Sequence, residues 1–267
     1  MFAGYIFDLD GTIYLGDRLI PGADEVVAQL RRAGSRVVFV SNKPIASRSV
    51  YARKLTQLGI ETPEADVINS SLVAARYLAQ EMPGARVFVI GEAPLVHELE
   101  RAGLHMANAP ETTDLVLVSL DRNLNYEKLH FAYHATKAGA RVMATNPDLV
   151  CPMPDDEIID AGATIAALEA LLRRPIDTVI GKPSPIMVRT LVDFLKLRPE
   201  ACMVVGDRLE TDIAMGKAAG MATALVLTGV TDRELLARSD IRPDYVLADV
   251  TGILGICPGH LHAGSQR

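Results

Sequence analysis

Short apolar runs alternate with amphipathic stretches along most of the chain. Gly4 to Phe7, Arg36 to Val40 and Ala201 to Val205 are rich in strand-forming residues and predict buried strands. Helical spacing follows the first of them, since apolar residues between Ala23 and Ala33 recur on one face until Gly34 ends the pattern. Strands and helices that alternate with short links are typical of a parallel α/β sheet.

This alternation occurs in two series, with the second in the middle of the chain. Ile13 to Leu19 is expected to be a connection, and Cys151 to Asp156, rich in proline and acids, a loop. Further predicted strands are Val67–Ile68, Arg86–Ile90, Leu115–Leu120, Arg141–Ala144, Thr178–Ile180, Thr223–Leu227 and Tyr245–Leu247. Further predicted helices are Ala46–Leu58, Ser70–Gln80, Pro94–Ala102, Tyr126–Lys137, Ala163–Leu172, Pro185–Leu195 and Ile213–Ala219, and the tail from Gly255 is expected to fray.

We therefore predict an α/β protein with a Rossmann-like parallel sheet as its core. The core would comprise residues 1–79 and 177–267, and a smaller α/β domain of residues 80–176 would be inserted into it. In such a sheet, ligands gather beyond the carboxyl ends of the strands. Side chains that follow the predicted strands are therefore the first place to look for chemistry.

Composition narrows the classes of protein that remain. The 267 residues are 49% hydrophobic and carry a formal net charge of −6, with scattered basic residues, which argues against a nucleic-acid partner bound by a basic face. No apolar run approaches the length of a membrane span, and no signal peptide is recognisable. The widely spaced Cys151, Cys202 and Cys257 make neither a disulfide framework nor a zinc site, so we expect reduced thiols and a cytoplasmic location.

Asp8 and Asp10 directly follow the first predicted strand. In extended backbone, this spacing places both carboxylates on one face, and Gly11 then allows a sharp turn. Two acids this close repel each other unless a cation or a shared proton lies between them. A divalent cation with oxygen ligands resolves the repulsion, and Mg²⁺ is the expected ion. The alternative for any isolated pair of this kind is a loop or helix cap.

Three further loops carry complementary groups. Parallel strands would bring their ends together and supply acids, hydroxyls and a fixed cation, as phosphoryl transfer through an aspartyl intermediate requires. The loops contain Ser41 and Asn42, then Lys182, then Asp207 and Asp212, and Thr12 adds a hydroxyl to the first loop.

The order and spacing of these loops resemble the haloacid dehalogenase (HAD) superfamily of phosphohydrolases. The resemblance rests on D-L-D-G-T at residues 8–12, V-S-N at 40–42, G-K-P-S at 181–184 and G-D-R-L-E-T-D at 206–212. The strings G-K-P-S-P and A-T-N-P-D are similar to the NagD-like and para-nitrophenyl phosphatase branch, and the insertion looks like a C2-type cap. The resemblance extends to about Leu247.

The resemblance implies a role for each acid of these motifs. Asp8 would be the nucleophile and a magnesium ligand, and Asp10 would serve as acid and base while its backbone carbonyl reaches the metal. Asp207 would be a direct ligand, and Asp212 would orient ligands or contact the metal through water. Asp212 also fits a helix cap, a role that can coexist with the first.

For the remaining motif residues the resemblance implies phosphate binding. Ser41 would hydrogen-bond the phosphoryl oxygens with help from the Asn42 backbone, and Lys182 would neutralise their charge and hold Asp8. Thr12 would order the first loop.

Substrate selectivity is expected to come from the insertion, because the core loops contact only phosphate. Asn146, Asp148 and the segment Asp155–Gly162 are the predicted substrate-contacting residues. His130 and His134 have metal-ligand spacing on a predicted helix, but without a third ligand they are interpreted as ordinary surface.

The predicted function is a Mg²⁺-dependent phosphatase that acts on a small phosphorylated metabolite, such as a sugar phosphate, a nucleotide monophosphate or phosphoglycolate. A phosphotransferase or phosphomutase with the same core, a receiver-like signalling module and a non-catalytic binding protein are the alternatives. Relatives of the branch often dimerise through the cap, so a homodimer is a further expectation.

Overall fold

The computed structural model describes residues 1–152 and 157–256. In this part of the chain the strands are β1 (Gly4–Asp8), β2 (Tyr14–Leu15), β3 (Arg18–Leu19), β4 (Arg36–Ser41), β5 (Val67–Asn69), β6 (Arg86–Ile90), β7 (His105–Met106), β8 (Leu115–Val118), β9 (Arg141–Ala144), β10 (Val150–Pro152), β11 (Glu157–Ile159), β12 (Thr178–Val179), β13 (Cys202–Gly206), β14 (Ala222–Val226) and β15 (Tyr245–Leu247). The α-helices are α1 (Ala23–Arg32), α2 (Arg48–Gln57), α3 (Ser70–Glu81), α4 (Ala93–Arg101), α5 (Tyr126–Lys137), α6 (Ala161–Leu172), α7 (Pro185–Leu195), α8 (Ala214–Ala218) and α9 (Arg233–Arg238).

The chain divides into two compact units. The first unit comprises Met1–Ser41, Tyr51–Ile68 and Val188–Arg267, and the second comprises Asn42–Val50 and Asn69–Met187. The predicted insertion, residues 80–176, lies inside the wider second unit, and its role as a specificity cap stays a prediction.

The first unit is built on a six-stranded sheet with the order β15-β14-β13-β1-β4-β5. β1 pairs in parallel with β13 on one side and β4 on the other, so Ile6 lies between Val204 and Val38. Tyr5, Ile6 and Phe7 are fully buried, which accounts for their apolar character. Burial of one such side chain contributes roughly 1.5–3 kcal/mol, and it fixes the strand that carries Asp8 at its carboxyl end.

The second unit has its own parallel sheet, with the order β12-β9-β8-β6-β7. Its core packs β6, β8 and β9 against α5 and α6, with Ile90, Val116, Val142 and Leu168 fully buried. An antiparallel hairpin of β10 and β11 pairs Val150 with Ile159. Both sheets confirm the predicted class, an α/β protein with a parallel core. No helix among residues 1–152 and 157–256 is long and apolar enough to cross a membrane.

Several elements differ from the sequence predictions. The segment from 13 to 19 was expected to be a connection but forms the short β2–β3 hairpin, and Cys151 lies in β10 rather than in a loop. A π-helical turn, Leu209–Ile213, precedes α8, so the helical backbone begins before the predicted Ile213. Strand β7 and helix α9 were not predicted. The predicted fraying of the tail and Cys257 fall on residues outside the described ones, except for the last turn near Gly255, which is 3₁₀-helical.

Candidate active site

Three carboxylates meet at the carboxyl edge of the first unit's sheet. One oxygen each of Asp8, Asp207 and Asp212 lies within 4.8 Å of those of the other two. Asp207 and Asp212 are 2% and 1% exposed, whereas Asp8 is partly buried. Such a cluster favours a bound cation, because charges of one sign at this distance repel strongly in a poorly solvated site.

A tight turn after β1 sets the position of Asp10. The carbonyl oxygen of Leu9 accepts the backbone N–H groups of residues 12–14 at 2.9–3.3 Å, and Gly11 donates its own N–H to Tyr14 O at 2.8 Å. Gly11 has φ +84°, a left-handed conformation in which glycine is unstrained. The turn leaves Asp10 partly buried, two residues beyond Asp8.

Asp207 and Asp212 are brought together by the π-helical turn after β13. The backbone N–H of Arg208 donates to Asp212 Oδ2 at 3.2 Å. Gly206 makes room for this approach, since a Cβ on it would lie only 2.3 Å from Cβ of Asp212. Asp212 thus lies within the turn, where it accepts the N–H of the residue that precedes the turn, and it also joins the acid cluster.

A segment that sequence reasoning left without a role also contacts Asp207. Val230 N donates to Asp207 Oδ2 at 2.7 Å, and the hydroxyl of Thr228 donates to Gly11 O at 2.6 Å. Gly229 lies against the Asp207 carboxylate without a side chain of its own. The pair Thr228-Gly229 shortly after β14 was the available sequence signal. The N–H that contacts the acid belongs to the backbone of Val230, and every residue except proline has one, so this contact leaves no signal of its own.

Two neutral groups line the same region. Burial, with the negative charge of Asp10 next in importance, raises the pKa of the Tyr14 hydroxyl far above its ordinary value, so the phenol stays protonated. Lys54 Nζ lies 4.1 Å from the centre of the Tyr14 ring. Thr12 is fully buried, its hydroxyl has no hydrogen-bond partner in the described part of the chain, and its backbone N–H donates to Leu9 O at 3.3 Å. That Thr12 orders the loop stays a prediction.

Ser41 ends β4 and is buried. Because Val40 is paired in register with Asp8, Ser41 follows at the same carboxyl edge of the sheet. Its predicted contact with a phosphoryl group stays a prediction.

The second unit contains the other predicted residues, which are joined by hydrogen bonds within that unit. The Asn42 side chain accepts Lys182 N at 2.8 Å and donates to Lys182 O at 3.1 Å, so it holds the backbone of the G-K-P-S loop. Lys182 itself is 3% exposed. Gly181 permits this packing, since a Cβ there would lie 2.6 Å from Asn42 Oδ1.

The same network includes the two polar residues predicted to contact substrate. Asp148 Oδ2 accepts the amide N–H groups of Asn42 at 3.0 Å and Asn146 at 3.1 Å. Asn146 is fully buried and donates to Asp160 Oδ1 at 2.9 Å as well. These contacts favour a positioning role for Asn146, whereas Asp148 is partly exposed.

The predicted substrate segment Asp155–Gly162 is only partly described. Residues 155 and 156 lie outside the described residues, Glu157–Ile159 forms β11, and Asp160 caps α6 through the N–H of Ala161. A cavity of about 500 Å³ lies beside this strand in the second unit. It is lined by Asp121, Arg122, Leu124, Glu157, Ile158, Ile159, Asp160 and Thr164.

Comparison with known proteins agrees with this geometry. Residues 5–105 match the haloacid dehalogenase-like hydrolase family, and residues 179–253 match a second HAD-hydrolase-like family. The sugar-phosphatase AraL of Bacillus subtilis is 40% identical over 94% of this chain and 92% of its own length.

Solved structures share this fold over nearly the whole length of the chain. The p-nitrophenyl phosphatase from Archaeoglobus fulgidus superposes with a TM-score of 0.90 at 37% identity, covering 95% of this chain and 98% of that one. NagD from E. coli gives a TM-score of 0.85 at 30% identity over 93% and 97% of the two chains.

A parallel α/β fold with an acid cluster at its strand ends, matched at this level, defines a phosphoric monoester hydrolase. The chain belongs to the haloacid dehalogenase-like hydrolases, and within them to the NagD-like phosphatases.

Proposed function

We propose that the protein hydrolyses the phosphomonoester of a small metabolite through an aspartyl-phosphate intermediate on Asp8, with Mg²⁺ as cofactor. The observation that carries the proposal is the cluster of three carboxylates at the end of β1 and β13. The match to a B. subtilis sugar phosphatase supports a small phosphorylated substrate.

The residues of the cluster fit a hard divalent cation. Carboxylate oxygens are the ligands that Mg²⁺ prefers, and Asp8, Asp207 and Asp212 supply three of them from the end of β1, the residue after β13 and the π-helical turn that follows. Because Gly11, Gly206 and Gly229 have no side chain, their backbone packs closely against Asp207 and Asp212. Asp212 therefore joins Asp8 and Asp207 as a residue that would hold the ion, while the Asp10 carbonyl stays a predicted ligand. When bound, the cation would neutralise negative charge on the phosphoryl oxygens and on Asp8.

The reaction divides into two displacements at phosphorus. An Asp8 carboxylate oxygen forms a bond to phosphorus as the ester P–O bond breaks, and Asp10 donates a proton to the departing alkoxide. Asp10, now ionised, then takes a proton from water while the water oxygen attacks phosphorus. The Asp8–phosphorus bond breaks, and inorganic phosphate leaves with both residues restored.

Ser41 and Lys182 would provide the phosphate-binding groups. The Ser41 hydroxyl would donate to a phosphoryl oxygen, and the Lys182 ammonium would offset its charge. The Asn42 side chain supports this assignment for Lys182, because it holds the lysine backbone on both its N–H and its C=O.

Candidate substrates are a sugar phosphate, a nucleotide monophosphate and phosphoglycolate. Asp148 is the partly exposed member of the second unit's network and is proposed to contact the leaving group. A homodimer through the inserted domain and a cytoplasmic location remain expectations.

The Asp8→Asn variant tests the proposal most directly. Purified wild-type protein and the variant would be assayed for phosphate release from a panel of phosphomonoesters, with Mg²⁺ and with chelator. Loss of the nucleophile should abolish release on every ester, because the amide cannot form the intermediate. Asp24→Asn, an exposed acid on α1, is the matched control and should retain full activity.

Transfer to an added alcohol distinguishes the covalent route from direct attack by water. With an aspartyl intermediate, different esters should give one common ratio of alcohol phosphate to inorganic phosphate, because all pass through the same species. If this ratio varies with the leaving group, the reaction does not pass through a common aspartyl-phosphate intermediate. No release from any ester by folded wild-type protein would remove the phosphatase itself.

A further inference from the structure

The segment of residues 228–231 that follows β14 lies against the Asp207 side chain, and we name it the 228–231 loop. We infer that this loop positions Asp207 for metal binding and that the absence of a side chain at Gly229 is essential to it. The inference rests on the proposed metal site and adds positioning residues to it.

Two backbone N–H groups of the loop hold Asp207. Val230 donates to the side-chain oxygen Oδ2 at 2.7 Å, and Thr231 donates to the main-chain oxygen at 3.1 Å. An N–H bond to a carboxylate is charge-assisted, and at this length it is among the stronger hydrogen bonds in proteins. Together the two bonds fix both the backbone and the carboxylate plane of one residue.

Gly229 lies closer to Asp207 than a side chain would allow. A Cβ on Gly229 would lie 2.0 Å from Asp207 Oδ2, 2.5 Å from Cγ and 2.7 Å from Cβ. Ordinary contacts begin at 3.4 Å, so the carboxylate would have to move by more than an ångström. The backbone of Gly229 is outside the left-handed region. Alanine is therefore opposed by the close approach of the acid and not by a left-handed backbone conformation.

Gly11, in the turn after β1, lies against the same oxygen of Asp207 as Gly229 does. A Cβ on Gly11 would lie 2.6 Å from Asp207 Oδ2 and 2.9 Å from Gly229 Cα. The Thr228 hydroxyl joins the two segments by donating to Gly11 O at 2.6 Å. Two glycines thus lie against one carboxylate oxygen of Asp207, and the Thr228 hydroxyl bonds the two segments that carry them.

This arrangement matters for a metal more than for folding alone. Mg²⁺ requires near-ideal octahedral geometry with ligands at about 2.0–2.1 Å, and metal sites tolerate ligand displacements of only about 0.2 Å. A displacement of Asp207 that the fold could absorb would therefore still remove a ligand. Residues that orient metal ligands typically change affinity on the order of 10- to 100-fold when replaced.

Gly229→Ala is the primary test, with Gly255→Ala as its control. Gly255 has open space around its Cβ position and ordinary φ, so alanine should be harmless there. Calorimetric titration of metal-free protein with Mg²⁺ should show binding weakened on the order of 10- to 100-fold in Gly229→Ala and unchanged in Gly255→Ala. The Mg²⁺ concentration for half-maximal rate should rise in parallel, while kcat recovers at saturating Mg²⁺.

Thr228→Val supplies a second test that adds no atom against Asp207. It removes the hydrogen bond to Gly11, and we expect Mg²⁺ binding to weaken, by less than in Gly229→Ala. Thr228→Ser keeps the hydroxyl and should restore the wild-type affinity. This pair carries the test if Gly229→Ala does not fold, as judged by its melting temperature in chelator.

The possible outcomes distinguish the positioning role of the 228–231 loop from the proposed Mg²⁺ site on which it depends. Weaker Mg²⁺ binding in Gly229→Ala and Thr228→Val, with Thr228→Ser normal, supports the positioning role. Wild-type Mg²⁺ affinity in both variants overturns the positioning role but not the metal site. A lower melting temperature in chelator with unchanged Mg²⁺ affinity has the same meaning, because it shows a purely structural effect. Wild-type protein that binds no Mg²⁺ overturns the proposed metal site and this inference with it.

Discussion

The two units hold clustered carboxylates in different ways. In the first, Asp207 and Asp212 come within 4.8 Å of Asp8, with glycines keeping other side chains away. In the second, Asp148 and Asp160 are joined by the amide nitrogen of Asn146. The first arrangement places three carboxylates together and bonds two of them to backbone N–H groups, whereas the second places the amide of Asn146 between two carboxylates. Acids alone thus do not define a metal site, since the partner groups decide whether a cation is needed.

Replacing an acid of the first unit by an amide should have the largest effect. We expect Asp207→Asn to lower kcat/KM by about 10²–10³, because an electrostatic element of the site is lost. The same change should raise the metal-free stability by about 1 kcal/mol, since it relieves repulsion within the cluster. Urea unfolding in chelator and initial rates with Mg²⁺ measure the two effects. Lower stability together with full activity would mean that the cluster is not a charge-repelling metal site.

The reciprocal change in the second unit should act on stability instead. Asn146→Asp puts a third carboxylate against Asp148 and Asp160, and removes the donor that joined them. We expect a loss of about 3–5 kcal/mol in the free energy of unfolding, as for an uncompensated buried charge. Asn123→Asp, at an exposed position, is the control and should change stability by less than about 0.5 kcal/mol. If Asn146→Asp unfolds at the same urea concentration as the wild type, the hydrogen-bond network of Asn146 does not stabilise the fold.

The smallest expected effect concerns Asp244, whose carboxylate is paired with Lys217. Burial raises the pKa of Asp244, but hydrogen bonds from Lys217 and Thr223 outweigh it, so the pKa lies below its ordinary value of 3.8. A lowered folded-state pKa contributes stability that is present above pH 3.8 and is lost as the pH falls through the folded value. Asp244 is partly exposed, so we expect Asp244→Asn to cost only about 1 kcal/mol near neutral pH.

The pH dependence checks the sign of that prediction. The difference in unfolding free energy between wild type and Asp244→Asn should be constant above pH 5 and shrink below pH 3.8. A difference that grows with acidification would show that the pKa of Asp244 is raised in the folded state.

Strong local patterns made the sheets predictable. β1, β4 and β13 are apolar runs closed by polar loops, and their prediction as buried strands is confirmed. The hairpin of β10 and β11 was missed because prolines and acids in that segment resemble a loop, whereas its strands are defined by pairing with each other. Strands of two residues, such as β2 and β3, are too short for periodicity to detect.

The site was predictable at the level of motif residues but not of their contacts. Asp8, Asp207 and Asp212 follow apolar strands, which made their approach an expectation before any coordinates. The π-helical turn that brings Asp212 into the cluster has no periodic pattern in the sequence. The hydrogen bond from Val230 to Asp207 uses a backbone N–H, which the residue type does not reveal. The side-chain network of Asn42, Asn146 and Asp160 depends on tertiary packing that spacing does not encode.

The central position of β1 has a consequence for synthesis of the protein. Its neighbour β4 follows soon after it along the chain, but its other neighbour, β13, is made only in the last third. A nascent chain on the ribosome therefore holds Asp8 long before Asp207 and Asp212 emerge. Until then it has neither the acid cluster nor the 228–231 loop, so catalytic competence should arise late and all at once during translation.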